Sequence, residues 1–331
     1  MSDHKEAKSF SRFGYIMVAA GAAIGLGNIW KFPYLAYGDG GGAFVLIYIV
    51  ICILLGHPIV QAEQAVGRRG RASAAASYGV IHPKWRFVGV INIVCTFLID
   101  IYYLVVSGWV LKYFVTYVVS GDFGKDKQAY FDNYISSTTQ PLIYSLIIIA
   151  IIVFFLFFGI TNIVEKASKV IMPMLAVLLL VCGIYALIVV PGAVGGLKYY
   201  FVPDFSQFGM QQFADACMQV CFSVGIGWGI FTTLGASMDK DANLKADAWW
   251  VDICDTFIAL LAGFVIIPTV VGTGSEMSSG PSLVFVAMTQ IFETLPGGRI
   301  IGIFFFASLI FAVISTFFTI LEIPRMHVQE K

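Results

Sequence analysis

Apolar residues gather along this chain in long blocks separated by short polar stretches. Eight blocks are long enough to cross about 30 Å of hydrocarbon as helices. They fall near residues 13–36, 42–66, 87–118, 141–160, 168–190, 211–236, 247–271 and 300–323. The first block is interrupted: VAAGAAIGLGNIWKFPY, residues 18–34, holds Gly21, Gly25 and Gly27 with Asn28, Lys31 and Pro33. Each glycine weakens a helix by roughly 1 kcal/mol relative to alanine. In lipid, a chain that leaves the helix persists only where protein or a polar cavity satisfies its backbone. Residues 21–28 are therefore expected to unwind and to turn bare carbonyl and N–H groups toward something bound. Gly21 and Gly25 also fit the small-xxx-small spacing of packed helices, so this stretch alone leaves both readings open. The sixth block repeats the interruption in Ser223-Val-Gly225-Ile-Gly227-Trp228-Gly229. Helix packing explains either break alone. Two breaks at that spacing point to an inverted-repeat transporter with an ion or substrate site between them.

The polar stretches set the expected topology. With the N-terminus inside, the inner segments carry fourteen lysines and arginines (residues 5, 8, 12, 68, 69, 71, 84, 86, 166, 169, 240, 245, 325 and 331) and the outer segments six (31, 112, 125, 127, 198 and 299). This asymmetry predicts a cytoplasmic N-terminus, and a cytoplasmic C-terminus after eight spans, in a multi-pass protein of the cell membrane. Stretches 119–140 and 192–210 are then outer loops. Segment 273–299 is too polar at its start to span, and it is expected to form a re-entrant or capping hairpin over the outer face. Gly38-Asp39-Gly40-Gly41-Gly42 lacks the lysine-serine pair and the strand of a phosphate loop and reads as a turn.

Composition narrows the class. Of 331 residues, 59% are hydrophobic and 12% charged, the balance of a polytopic membrane protein in a lipid bilayer. The formal net charge of zero argues against nucleic acid as a partner. All six cysteines fall in apolar segments and read as small core residues. The four histidines form no paired-His, HExxH or Ser-His-Asp arrangement, so no enzyme is expected, and His57 is expected to bond between helices. Residues 1–12 are expected as a cytoplasmic segment and 13–331 as one transmembrane domain.

GAAIGLGNIWKFPY followed by GGGAF closely resembles the first helix of the neurotransmitter:sodium symporter family, in its bacterial amino-acid branch. The resemblance continues through QAEQAVGRRG, IYYLVVSGW, GITNIVEKASKVIMP, PDF, the second break, GPSLVF with LPGG, and FAVISTFFTILE. It implies an all-α inverted-repeat amino-acid-transporter fold and sodium-coupled symport of a small amino acid by alternating access; the alternative is a membrane protein or truncated fragment that binds ligand and sodium without transporting. Residues 13–190 would form the first five-helix repeat, and 211–328 would form helices 6–8 of its inverted copy. The family has eleven or twelve helices, so the chain is expected either as a fragment or as one of several copies or partners covering helix 8.

Carried over position by position, a first sodium site would use Ala23, Asn28, Ser223 and Asp255. A second would use Gly21, Ile24, Ala312, Ser315 and Thr316. These are hard oxygen ligands suited to a small hard cation. The substrate pocket would be lined by Ala22, Ala23, Gly25, Gly27, Ile99, Tyr103, Phe222, Ser223, Gly225, Trp228, Thr316 and Ile320. Monoamine carriers of the family hold an aspartate at the position of Gly25, so the glycine implies a substrate that brings its own carboxylate. Gly225 replaces a common serine and is expected to deepen the pocket for a hydrophobic or aromatic side chain. Asp255 stands where chloride-dependent members have asparagine, and Ala259 where they have serine, so chloride is not expected to be required. Asp252 is the rival acid. Asp100, beside the pocket tyrosine, is expected to pair with a neighbouring helix or with substrate nitrogen. The inner-gate arginine and tryptophan are absent, with Lys8, Phe10 and Arg12 nearby, and Lys31 takes the place of the outer-gate arginine.

Overall fold

The computed structural model describes residues 10–157, 164–206 and 208–330. Among these the chain is helical, with one isolated bridge, between Gly41 and Pro203. In order, the helices are α1 (Arg12–Ala23), α2 (Phe32–Gly38), α3 (Gly42–Ile51), α4 (His57–Gly70), α5 (Ala74–Ile81), α6 (Arg86–Val119), α7 (Lys127–Ser136), α8 (Thr139–Phe157) and α9 (Glu165–Val189). They continue as α10 (Ala193–Phe201), α11 (Met210–Val224), α12 (Ile230–Ala236), α13 (Leu244–Thr273), α14 (Met288–Thr294), α15 (Gly298–Ile320) and α16 (Glu322–Gln329).

Five uninterrupted helical stretches among the described residues are long and apolar enough to cross a membrane, and there are seven if two bent pairs each count as one span. One bent pair is α1 with the helix Gly27–Gly38, turned by 60°. The other is α7 with Thr139–Phe155, turned by 77°. The eight expected spans differ from this count at the sixth, where a five-residue turn parts the 15-residue α11 from the 7-residue α12. The expected cytoplasmic segment 1–12 falls mostly on residues outside those described, as does the 159–163 part of the GITNIVEKAS motif.

Local chemistry explains the element ends. Ser11 caps α1 by accepting from Gly14 N, Asp126 caps α7 through Ala129 N, and Asn243 caps α13 through Ala246 N. Wide π turns occupy Gly27–Lys31 and Cys52–Gly56. Each precedes a proline, Pro33 or Pro58, whose ring would strike the carbonyl four residues back in a regular α-helix. The widened turn makes room for it.

Three helices, α5, α7 and α10, lie where the sequence suggested only loops. The segment 273–299 forms a π turn at Leu283–Ala287 running into α14, then turns at Gly297 into α15. Helix α4 packs on α12 with almost no space between backbones. A methyl group on Gly67 would lie 1.9 Å from Thr232 O, and one on Gly235 would lie 2.5 Å from Gln64 O. All six cysteines are free.

Candidate functional site

Both breaks form, and the site lies between them. The first helix stops at Ala23, leaves Ile24 and Gly25 outside regular helix, and resumes at Gly27, so the unwound part is narrower than the expected 21–28. The second break spans residues 225–229, where Gly225, Gly227 and Gly229 all have positive φ (73°, 80° and 79°). Three left-handed residues in five require glycine, which explains the spacing of the second motif.

At the first break the expected ligands of one ion converge. Asp255, fully buried, accepts from Asn28 Nδ2 at 2.8 Å through one carboxylate oxygen and from Ser223 Oγ at 2.8 Å through the other. Asn28 Nδ2 also reaches Ser223 Oγ at 2.8 Å, and Tyr48 OH donates to the same Oγ at 3.3 Å. The Asn28 amide oxygen accepts from Gly25 N at 3.0 Å. The amide thus offers its nitrogen to the acid, and it would have to turn over before its oxygen could hold a cation there. The Ala23 carbonyl lies 3.9 Å from the place a Gly25 Cβ would occupy, on the same side of the break.

A second cluster joins α1 to α15. Thr316 Oγ1 lies 3.3 Å from Gly21 O, 2.9 Å from Ile24 O and 2.9 Å from Ala312 O. A hydroxyl has one proton to give, so at most one of the three carbonyls receives a full hydrogen bond. Ser315 Oγ donates to Ala312 O at 2.9 Å and sits beside Gly21, where an added methyl would lie 3.0 Å from Ser315 Cβ. An oxygen set with too few protons, and no carboxylate, suits a monovalent hard cation.

The expected pocket residues lie between the two clusters. Tyr103 OH accepts from Leu26 N at 3.4 Å and donates to Thr316 Oγ1 at 3.4 Å, and a Cβ on Gly25 would come 3.2 Å from that phenol oxygen. Gly27 lies against the Phe222 ring, which meets Trp228 edge to face at 5.6 Å. Lys31 Nζ stands over the Phe222 ring, 4.4 Å from its centroid. Ala22 and Ile320 are buried and Ile99 half-buried, without a polar contact to these groups. The depth expected at Gly225 is absent: a Cβ there would lie 2.8 Å from Ile230 Cδ1 and 3.5 Å from the Trp228 ring, so neighbours fill the space.

Several partners were not legible in the sequence. Glu63 Oε1 accepts from Gly227 N at 2.8 Å and so pins the second break, and Thr96 Oγ1 donates to Trp228 O. An acid inside an apolar span was the available signal for Glu63. Asp252 pairs with His57 Nδ1 at 2.9 Å, supplying the interhelical bond expected of that histidine and separating Asp252 from the ion cluster. At the start of α1, Arg12 Nε meets the buried Asp247 at 2.8 Å, joining α1 to α13. Asp100 departs from the expected helix-to-helix pairing, since among the described residues neither carboxylate oxygen has a partner.

A family model described as "Sodium:neurotransmitter symporter family" matches residues 7–121 and 131–329. An uncharacterized sodium-dependent transporter of Haemophilus influenzae is 33% identical, over 97% of this chain and 73% of its own length. The Bacillus subtilis sodium-dependent transporter YhdH is likewise 33% identical, over 98% of this chain and 72% of its own. Among solved structures, MhsT in complex with L-phenylalanine superposes with a TM-score of 0.89 at 34% identity, covering 98% of this chain and 75% of MhsT. The motifs that form the two breaks and the match along nearly all of its length lead to one conclusion: the chain belongs to the sodium:neurotransmitter symporter family.

Proposed function

We propose that this chain acts as a sodium-coupled symporter of a small amino acid, working by alternating access in the cell membrane with its N-terminus in the cytoplasm. The observation that carries the reading is the cluster at Thr316, where three main-chain carbonyls surround one hydroxyl. One sodium ion would be held there by Gly21, Ile24, Ala312, Ser315 and Thr316. A second would be held by Ala23, Asn28, Ser223 and Asp255, whose carboxylate supplies the negative charge in place of chloride. The glycine at position 25 brings no carboxylate of its own, and the Tyr103 hydroxyl, turned away from Thr316, would be a donor for that of the substrate. The amino-acid ligand of MhsT supports this substrate class. The apolar walls given by Ile99, Phe222, Trp228 and Ile320 suit a side chain with an apolar body.

In the cycle, sodium at the Thr316 cluster would tie α1 to α15 and hold the outer-facing arrangement for substrate. Ion release would free α1, leaving Arg12–Asp247 as the inner contact that must open. Uptake into proteoliposomes with and without an inward sodium gradient tests the proposal. Gradient-dependent accumulation of an amino acid is expected, and binding without accumulation under any gradient would refute transport.

A further inference from the structure

One buried acid has no task in this scheme. Asp100 is 7% exposed, and among the described residues both of its carboxylate oxygens are without a hydrogen-bond partner. It lies on the buried stripe of α6, four residues after Thr96 and three before Tyr103. Residues at these spacings share one helix face. Thr96 is fastened to the second break through Trp228 O, and Tyr103 to the first break and α15 through Leu26 N and Thr316. Asp100 is therefore bracketed, one turn each way, by contacts that form the pocket.

The register of α6 against α15 gives the opposite wall. Tyr117 lies against Gly302, Tyr113 stacks on Phe306 at 5.4 Å, and Tyr103 meets Thr316 and Phe317. The helices run antiparallel, so the turn holding Asp100 faces the turn holding Thr319 and Ile320. Thr319 Oγ1 is also buried without a partner among the described residues. A carboxylate enclosed by apolar groups in a membrane protein is costly unless a cation meets it, and such residues are functional by default. The protein supplies none: among the described residues no lysine, arginine or histidine bonds to it.

We propose that Asp100 is the specificity determinant for a cationic side-chain end, so that the amino acid carried is a basic one with an apolar stem. This rests on the amino-acid symport reading above. With the substrate carboxylate at Tyr103, Asp100 stands about one helical turn further along the same buried stripe of α6, ~5 Å by helical rise. A stem of three or four methylenes, folded along Ile99 and Ile320 as long basic side chains lie on apolar surfaces, would bring an ammonium or guanidinium to that carboxylate. Thr319 would accept or donate beside the cation.

The test is sodium-dependent binding to the purified full chain, with radiolabelled L-lysine and L-norleucine as probes, because norleucine keeps the stem and lacks the charge. The parent is expected to prefer lysine by at least about tenfold. Asp100→Asn, which keeps the shape, is expected to weaken lysine by at least about tenfold while norleucine stays within about threefold. Equal or tighter binding of norleucine by the parent overturns the proposal without any variant. So does an Asp100→Asn protein that loses both probes equally. If norleucine binds with sodium and lysine does not, the symport reading stands and this one falls. If neither they nor leucine, phenylalanine or arginine binds in sodium, both fall together.

Discussion

The two candidate ion clusters are built from the same break in the first helix, yet they solve opposite problems. Around Asp255 there is a full charge, and each carboxylate oxygen is already engaged by Asn28 or Ser223. Around Thr316 there is no charge, and three carbonyls share one hydroxyl proton. The first cluster is satisfied in itself, so a cation must displace hydrogen bonds to enter. The second is under-supplied with protons, so a cation completes it. Affinity at the first should depend on charge, and at the second on how closely α1 and α15 approach.

Removing the charge should have the largest effect. Asp255→Asn keeps shape and an oxygen while deleting the only carboxylate, and is expected to weaken sodium at the first site by about 2 kcal/mol or more, roughly thirtyfold. Combined with Ala259→Ser it should make substrate binding respond to chloride. The measurement is sodium-dependent binding in chloride and in gluconate; strong chloride stimulation of the parent would remove the charge-balance argument.

At the uncharged cluster the steps should be smaller and graded. Thr316→Val removes the oxygen that three carbonyls share and is expected to raise the sodium concentration for half-maximal binding about tenfold. Ser315→Ala, which loses contact with Ala312 alone, is expected to raise it about threefold. Equal losses would break the distinction between the two hydroxyls.

The breaks themselves can be compared by stability. Gly225→Ala forces a side chain onto positive φ and into Ile230, and should cost about 2 kcal/mol. Gly227→Ala meets open space and should cost about 1 kcal/mol, from backbone strain alone. Thermal melts in detergent would rank the pair, and a reversed order would show that the Ile230 contact relaxes freely.

The smallest expected effect is a pH dependence at the C-terminal end of α2, where Asp39 follows Gly38. Partial burial, then the nearby Asp215, raise the Asp39 carboxyl to about 6. The folded protein then holds a proton that the unfolded chain releases near pH 4. Stability should fall as pH rises between those values and level off above 6. Asp39→Asn should remove that slope from melting curves taken across the window; an unchanged slope would assign it elsewhere.

How much of this was readable in the chain follows from sequence distance. The breaks were legible because glycines, Asn28 and Pro33 stand together within one apolar block. The Tyr103, Ser315 and Thr316 positions came through resemblance, since hydroxyls on apolar helices carry no sign of what they face. Pairs such as His57 with Asp252, Arg12 with Asp247 and Glu63 with Gly227 join residues more than 160 positions apart. No local pattern records them. The helices α5, α7 and α10 were hidden for another reason: they are 8 to 10 residues long, and tertiary packing rather than propensity holds such short helices. The depth argument at Gly225 failed because it treated a missing side chain as missing volume. The glycine is there for its backbone angle, and Trp228 and Ile230 fill the space.

The contact between α4 and α12 carries a mechanical consequence. Backbones that meet at Gly67 and Gly235 with no room for a methyl group cannot slide or roll past one another, so the two helices form a single lever. A tilt of α12 must carry α4 with it. The bending then falls on two places, the left-handed glycines of 225–229 and the π turn at Cys52–Gly56. Both lie beside the Asp255 cluster, through Ser223 on one side and the Cys52–Thr256 contact on the other. The fulcrum and the proposed ion site therefore share the same few residues, and load on one is felt by the other without a long relay.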